Sequence, residues 1–373
     1  MAYKNEEIIA REGSAVRLDA GETAFFAREL ENIEPQTYDI KYPDLKARQL
    51  MSMGVGLTPA DEYNTWRQFD RQGDIKESSM DTDDIPVVDI QGQEFQSKVV
   101  PLVVGYEYTV QDIRQAMATN RPIDAMKAFA ARDLIERKLE TMAAIGSANS
   151  KNNLVYGMLN QPNVVIVSPS GVGGGTGTTS GYTGVKIGAT SGSYSWVAQD
   201  AGASTGAKLP KEIIADLLSW FRQIQYNTNG VEEPDSLILD LNSFNYINTT
   251  QVNAADTAIF TEGTILSYIM RNVPWLKRID FWLPAAKMQG TVNGTSENIP
   301  SSGPGSWSVG SNASRALLYK KDPRNFSFFV PQEFEQFAPQ LRNFKFFIPC
   351  HARCAGVVCR YPRSGLYIDG LGY

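Results

Sequence analysis

The chain has one histidine and three cysteines in 373 residues. A serine or cysteine nucleophile wants a histidine base held by a third group, and a single histidine, His351, leaves almost nothing to build one from. The cysteines all crowd into "CHARCAGVVC", Cys350 to Cys359, which is no disulfide framework of a secreted domain. Positive charge is not in excess either. With 35 basic against 41 acidic residues the formal net charge is -6, so the surface is not built mainly to neutralise phosphates. Nucleic acid could be enclosed by such a protein without being gripped. Long apolar runs are missing: no stretch of 18 apolar residues occurs, and "MAYKNEEIIAREGSAVRLDAGETAFF" lacks a basic region followed by an apolar segment of leader length. The expectation is a protein with no membrane span, kept in the cytosol or released by lysis.

The remaining hints of chemistry are weak. Zinc sites place their ligands in pairs such as C-x-x-C on tight turns, so that four can converge on a tetrahedron. Here the spacing is C-H-x-x-C-x-x-x-x-C inside a strand pattern, which turns Cys350 and His351 to opposite faces. Reduced cysteines packed in a strand are the better reading. The glycine run "GVGGGTGTTSGYTG" contains neither G-x-x-x-x-G-K-[ST] nor G-x-G-x-x-G and reads as a solvated loop. Asp81, Asp83 and Asp84 resemble a calcium loop in charge alone, because the glycine and the distal glutamate at the required offsets are missing. A salt-bridging partner surface suits them better, and no catalytic, cofactor-binding or metal-ligating residue is assigned.

What is present is architecture. The segment "IDAMKAFAARDLIERKLETMAAIG" predicts one long helix over 123–146, with Pro122 at its start and Gly146 at its stop. Ala128, Ala131, Ile135, Leu139, Met142 and Ile145 recur three or four residues apart and make its core stripe, while Arg132, Asp133, Glu136, Arg137 and Glu140 cover the rest. Such a helix spans about 36 Å and can brace a whole domain. Before it, residues 1–54 read as an extended arm with a short helix on Phe26, Leu30 and Ile33. Residues 55–105 read as a polar hairpin, with "RQGD" as a turn and alternation through Val104, Tyr106, Tyr108 and Val110. After it, Leu154 to Val167 reads as a buried strand centred on "VVIV". Two inserts rich in Gly, Ser and Thr cover 170–207 and 288–314. Between the inserts, a helix opened by Pro210, a strand "SLILDL", a helix around "GTILSYIMRNV" and a strand "RIDFWLP" make an α/β pattern. The C-terminal part, "RALLYKK", "NFSFFV" and "FKFFIPCHARCAGVVCRYP", is rich in strands.

A long arm, a polar hairpin that cannot bury itself, a bracing helix and an α/β lobe imply neighbouring subunits. The order "FFARELENIEPQTYDIKYPDLKARQLMSM", then the hairpin, then the helix running into "GSANSKNNLVYGMLNQP", resembles the major capsid proteins of tailed bacteriophages with the Hong Kong 97-type fold. The G-x-L-N element, Gly157 to Asn160, and the terminal "VPQEFEQFAPQLRNFKFFIPCHARCAGVVCRYPRSGLYIDGL" are similar to the encapsulin-like branch of that family.

The resemblance implies an α+β fold with an N-terminal arm (1–54), an extended loop hairpin overlapping the adjacent subunit (55–105), a peripheral domain (106–164 and 331–373) holding the spine helix 123–146, and an axial domain (165–330). It implies a structural protein, not an enzyme, that self-assembles through pentamers and hexamers into an icosahedral virion capsid in the host cytoplasm. Portal, scaffolding or decoration proteins would be further partners, and the DNA would be enclosed without sequence-specific binding. Arg67, Arg71, Lys76, Asp81, Asp83 and Asp84 are then candidate inter-subunit contacts, supplying orientation more than affinity. Some relatives lock the shell through a lysine–asparagine isopeptide bond; Lys76 and Lys98 lie in the loop region, but the sequence identifies no acceptor. Two other readings stand beside this one: a bacterial nanocompartment shell of the same fold, and a carbohydrate-binding or adhesin-like protein suggested by the aromatic content and the Gly/Ser/Thr-rich inserts.

Overall fold

A computed structural model describes residues 40–77, 86–119, 123–147, 155–167, 196, 210–252, 263–285, 314–369 and 371. The arm helix expected on Phe26, Leu30 and Ile33, Pro122, the aspartates 81, 83 and 84, and most of both inserts lie outside these residues. Residues up to Asp44 form a unit of their own, and 40–44 contain no helix or strand. The rest of the chain forms the second unit.

At the centre of the second unit is a five-stranded sheet. Its order is β5 (Val165–Val167), β14 (Gly365–Asp369), β8 (Arg315–Tyr319), β6 (Ser236–Leu239) and β7 (Arg278–Phe281). Because side chains alternate along a strand, this sheet serves two cores. Leu237, Leu239, Ala316, Leu318, Leu366 and Ile368 face a cluster with Leu217, Phe221 and Ile224 of α4 (Pro210–Asn227), Ile247 of α5 (Leu241–Thr249) and Ile269 of α6 (Ile265–Asn272). Ile238, Leu317, Tyr319 and Tyr367 face the opposite cluster, shared with Leu139 and Met142 of α3 (Ile123–Ile145). Trp196 belongs to the first insert, yet it is fully buried and stacks on Trp220 with centroids 5.5 Å apart.

Helix α3 is the expected long helix, and 23 residues make it about 35 Å long. It lies on a second sheet, in which β12 (Lys345–Cys354) pairs along its whole length with β4 (Val100–Thr109). On its other edge β12 pairs with β10 (Gln332–Gln336) and β11 (Gln340–Arg342). A small third sheet joins β1 (Ser52–Met53), β9 (Phe326–Phe329) and β13 (Gly356–Cys359). The short helix α1 (Ala47–Leu50) is seated on α3 by Glu140, whose carboxylate accepts the backbone N–H of Lys46 at 3.0 Å and of Ala47 at 2.9 Å. That carboxylate also takes the indole N–H of Trp282 at 2.6 Å.

Several expectations need correction. "RQGD" is not the turn of the hairpin: β2 (Tyr63–Gln72) and β3 (Asp89–Lys98) are still paired at Gln72 and Asp89, so the turn lies within 73–88. The two-stranded ribbon ends at Lys98, and β4, read as part of the hairpin up to 105, belongs to the sheet under α3. The alternation through Val110 stops at Thr109, because Thr109 and Asp112 exchange side-chain and backbone hydrogen bonds (3.0 and 3.1 Å) and open helix α2 (Val110–Thr119). The strand expected over Leu154–Val167 is confined to β5, since Met158, Leu159 and Asn160 are hydrogen-bonded to the end of α3. Helix α5 was missed; Asp240, at the end of a strand pattern, caps it by accepting the Ser243 N–H at 3.1 Å. The last strand, β14, expected with 331–373 in the peripheral domain, lies between β5 and β8 of the central sheet.

Candidate assembly surface

The spine stripe is buried as its spacing requires. Ala131, Ile135, Leu139 and Met142 are each at most 3% exposed, while Ala128, nearer the start of the helix, is half-buried against Tyr106, Ile348 and Cys350. The helix ends at Gly146, whose φ of +75° is a conformation that favours glycine, and a Cβ there would lie 2.2 Å from the Val155 carbonyl.

The G-x-L-N element then closes the helix. Met158 and Leu159 donate their N–H groups to the Ala143 and Ala144 carbonyls at 2.7 and 2.9 Å. Asn160 donates its amide to the Ile145 carbonyl and accepts the Gly157 N–H, both at 2.6 Å. Gly157 has to be glycine for lack of room: a Cβ would sit 2.3 Å from the backbone of Ala144 and Ile145. These contacts satisfy carbonyls that every helix C-terminus leaves open.

The same element is tied to the central sheet. Arg315, fully buried, pairs with Asp369 through two bonds of 2.6 and 2.7 Å and donates to the Leu159 carbonyl at 2.7 Å. Its guanidinium lies 4.7 Å above the Tyr367 ring, and the Tyr367 hydroxyl accepts the Gln161 N–H and donates to the Met158 carbonyl. Gln161 in turn donates to the carbonyls of Gly157 and Val357, each at 2.7 Å. A bidentate, dry pair with a further donor on the Leu159 carbonyl specifies one arrangement of spine and sheet.

The ribbon has the opposite character. Trp66 stacks on Phe95 at 5.7 Å and, with Leu57, packs on Val99, Phe329, Ala355 and Val358. The Ser97 hydroxyl donates to the Ala355 carbonyl at 2.8 Å, the Gln68 amide donates to the Arg360 carbonyl at 2.8 Å, and Arg353 reaches the Pro59 carbonyl. Beyond Gln68 every described ribbon residue, 69–77 and 86–96, is exposed. Arg67 pairs with Glu94 of the same ribbon at 3.2 Å, both side chains at least half exposed; Arg71 and Lys76 are exposed.

The cysteines and the histidine are held apart or buried. Cys350 lies on the buried face of β12, and His351 on the other, with its ring against Phe337. Burial pushes the Cys350 thiol up and carries those of Cys354 and Cys359 to about 12, which keeps them protonated at neutral pH and poor as nucleophiles or ligands. Among the described residues no three His, Cys, Asp or Glu side chains come together as a metal site. None of the described helices is long and apolar enough to cross a membrane.

Residues 74–371 match the family described as "Major capsid protein". The chain belongs to that family. By sequence alone no curated protein matches it. Among solved structures, the capsid of the Myoviridae phage XM1 superposes with a TM-score of 0.70 at 15% identity, covering 94% of this chain and 100% of that one. The capsid of cyanophage P-SCSP1u gives 0.52 at 10% identity, over 94% and 96% of the two chains. A protein of Mycobacterium phage Bobi gives 0.51 at 10% identity, over 92% and 96%. The family is thus that of structural capsid proteins and not of enzymes, and the fold is of the Hong Kong 97 type, shared with the phage capsids. The place of the major capsid protein is the virion shell.

Proposed function

We propose that this major capsid protein is the repeating unit of a closed icosahedral shell, built from pentamers and hexamers in the host cytoplasm around the double-stranded DNA of a tailed phage. The ribbon would reach an adjacent subunit, the spine region and its sheet would form the peripheral part, and the α4–α6 lobe would gather at the five-fold and six-fold centres. One observation carries the reading: two ten-residue strands project from the body with their outer halves wholly exposed. An isolated hairpin is marginal in water, so its order in use has to come from a surface outside its own subunit. A shell held by many weak contacts supplies such surfaces. The net charge of -6 suits a container that holds DNA without clamping it. Arg67, Arg71 and Lys76, with the aspartates 81, 83 and 84, would orient these contacts, and a portal, scaffolding or decoration protein would complete the particle.

The test shortens the ribbon. Gln68 and Gln93 are cross-strand partners, so replacing residues 69–92 by Asn-Gly joins them through a two-residue hairpin and leaves the buried base intact. The expected product is a folded subunit, melting as the parent does, that forms no closed shells in sedimentation or negative-stain microscopy. Shells of normal size from the shortened chain would refute the proposal. Shells of the full chain purified with a cargo enzyme and no DNA would favour the nanocompartment reading instead.

A further inference from the structure

The ribbon has two chemically different faces, and its own subunit uses one of them. Residues paired across an antiparallel ribbon point to the same side. Trp66 with Phe95, Gln68 with Gln93, and Asn64 with Ser97 therefore share a face, and exposure alternates accordingly along Tyr63–Gln68. This inner face seats the ribbon on the body through Trp66 and Ser97, and Gln68 bridges to Arg360 beside a cleft of about 460 Å³. Further out the inner face carries Asp70, Gln72, Asp89 and Gln91, with no cation among them.

The outer face reads differently. Arg67, Phe69, Arg71, Ile90, Glu94 and Lys98 lie on it, three cations against one anion, with Glu94 paired to Arg67. Phe69 sits over Gly92, where a Cβ would be 3.0 Å from its ring, and is still 70% exposed; Ile90, diagonal to it across the ribbon, is 63% exposed. An apolar pair flanked at two residues' distance by Arg67 and Arg71 has the form of an interface centre with a charged rim.

We infer that this outer face is the surface by which the ribbon docks onto a second copy of the chain. The inference rests on the assembly reading above and adds the face, the apolar centre and its residues. The occupant follows from charge: the face is cationic and each copy carries a net charge of -6, so another copy is on average its electrostatic complement. The inner face is already occupied at its base by the parent subunit, which leaves the outer one for the neighbour.

Two uncharged double variants of the full-length chain separate the faces. Phe69→Ser with Ile90→Ser removes the outer apolar pair; Gln72→Ser with Gln91→Ser changes exposed inner positions by a similar count of side chains. The outer variant should raise the subunit concentration needed for shells about tenfold or more, and the inner variant should stay within about twofold, both melting like the parent. Shells from the outer variant at the parental concentration would overturn the inference, as would an inner variant that is impaired equally. If the shortened ribbon blocks assembly while the outer variant does not, the face assignment alone fails; if the shortened ribbon also assembles, the assembly reading fails. Should the outer variant melt early, Arg67→Glu with Arg71→Glu takes its place: slower assembly at low salt that high salt equalises supports the face, and an unchanged rate overturns it.

Discussion

The joint between spine and sheet and the projecting ribbon are built from the same kinds of side chain. Asn160, Gln161, Arg315 and Asp369 make up the joint; Gln68, Gln91, Gln93 and Arg67 stand along the ribbon. In the joint each is at most 6% exposed and bonded to a carbonyl, an amide or an opposite charge. In the ribbon Gln91, Gln93 and Arg67 face water, Gln68 is half-buried on the Arg360 carbonyl, and the Arg67–Glu94 ion pair is open to solvent. Burial decides what a polar residue is for. Dry and fully paired, it fixes one geometry of the subunit, and removing one partner strands the other. Wet, it adds little to the subunit and stays free to serve a neighbour.

The comparison breaks hardest at the spine stripe that abuts the joint. Ile135→Asp buries an unpaired carboxylate beside Leu139 and should cost several kcal/mol, enough to threaten the fold of the subunit. Soluble mutant subunits with unchanged melting would contradict the packing described. Next comes Arg315→Ala, which leaves Asp369 charged and buried and the Leu159 carbonyl without this donor. Denaturant unfolding should show a loss of about 3–5 kcal/mol. Asn160→Ala removes one cap of the spine helix and should cost about 1–3 kcal/mol in the same assay. The matching ribbon change, Arg67→Ala, should move subunit stability by less than about 1 kcal/mol, so that a larger loss would show the ribbon to be part of the folding core.

The smallest effect is one of pH. Arg48, hydrogen-bonded to Glu333 at 2.7 Å, holds that carboxyl below its ordinary range. A folded-state value lower than the unfolded one means the contribution is present above the unfolded carboxylate value and is lost as pH falls through the folded value. Glu333→Gln should therefore lower the melting temperature slightly at neutral pH and leave it unchanged in acid, where the contribution is already lost, which flattens the acid side of the profile. A steeper acid loss in the variant would reverse the assignment.

Local pattern made some of these elements legible and hid others. The stripe from Ala131 to Met142 could be read because its side chains repeat at the helical period, Gly146 because glycine suits a helix stop, and the strands at 236–239, 278–281, 315–319 and 326–329 because they are short apolar runs of strand length. Helix α2 was not, since its signal is the Thr109–Asp112 exchange at the end of an alternating run, and it buries no residue. The Gly157–Asn160 element showed itself as a motif but not as a cap, because its partners, Ala143 to Ile145 and Arg315, are remote or lie on another element.

By itself the amino-acid order determined the long spine helix with its stripe and its glycine stop, the helix opened by Pro210, and the buried strands of the central sheet at 236–239 and 315–319. These are properties of neighbours along the chain, where periodicity and composition act directly. The tertiary structure alone decided that β14 enters the central sheet and that β4 leaves the ribbon for the sheet under the spine. It also decided which ribbon face the subunit claims. Strand partners, buried charge pairs and the sidedness of a ribbon depend on residues separated by tens to hundreds of positions, and such pairings are selected by the packing of the whole core.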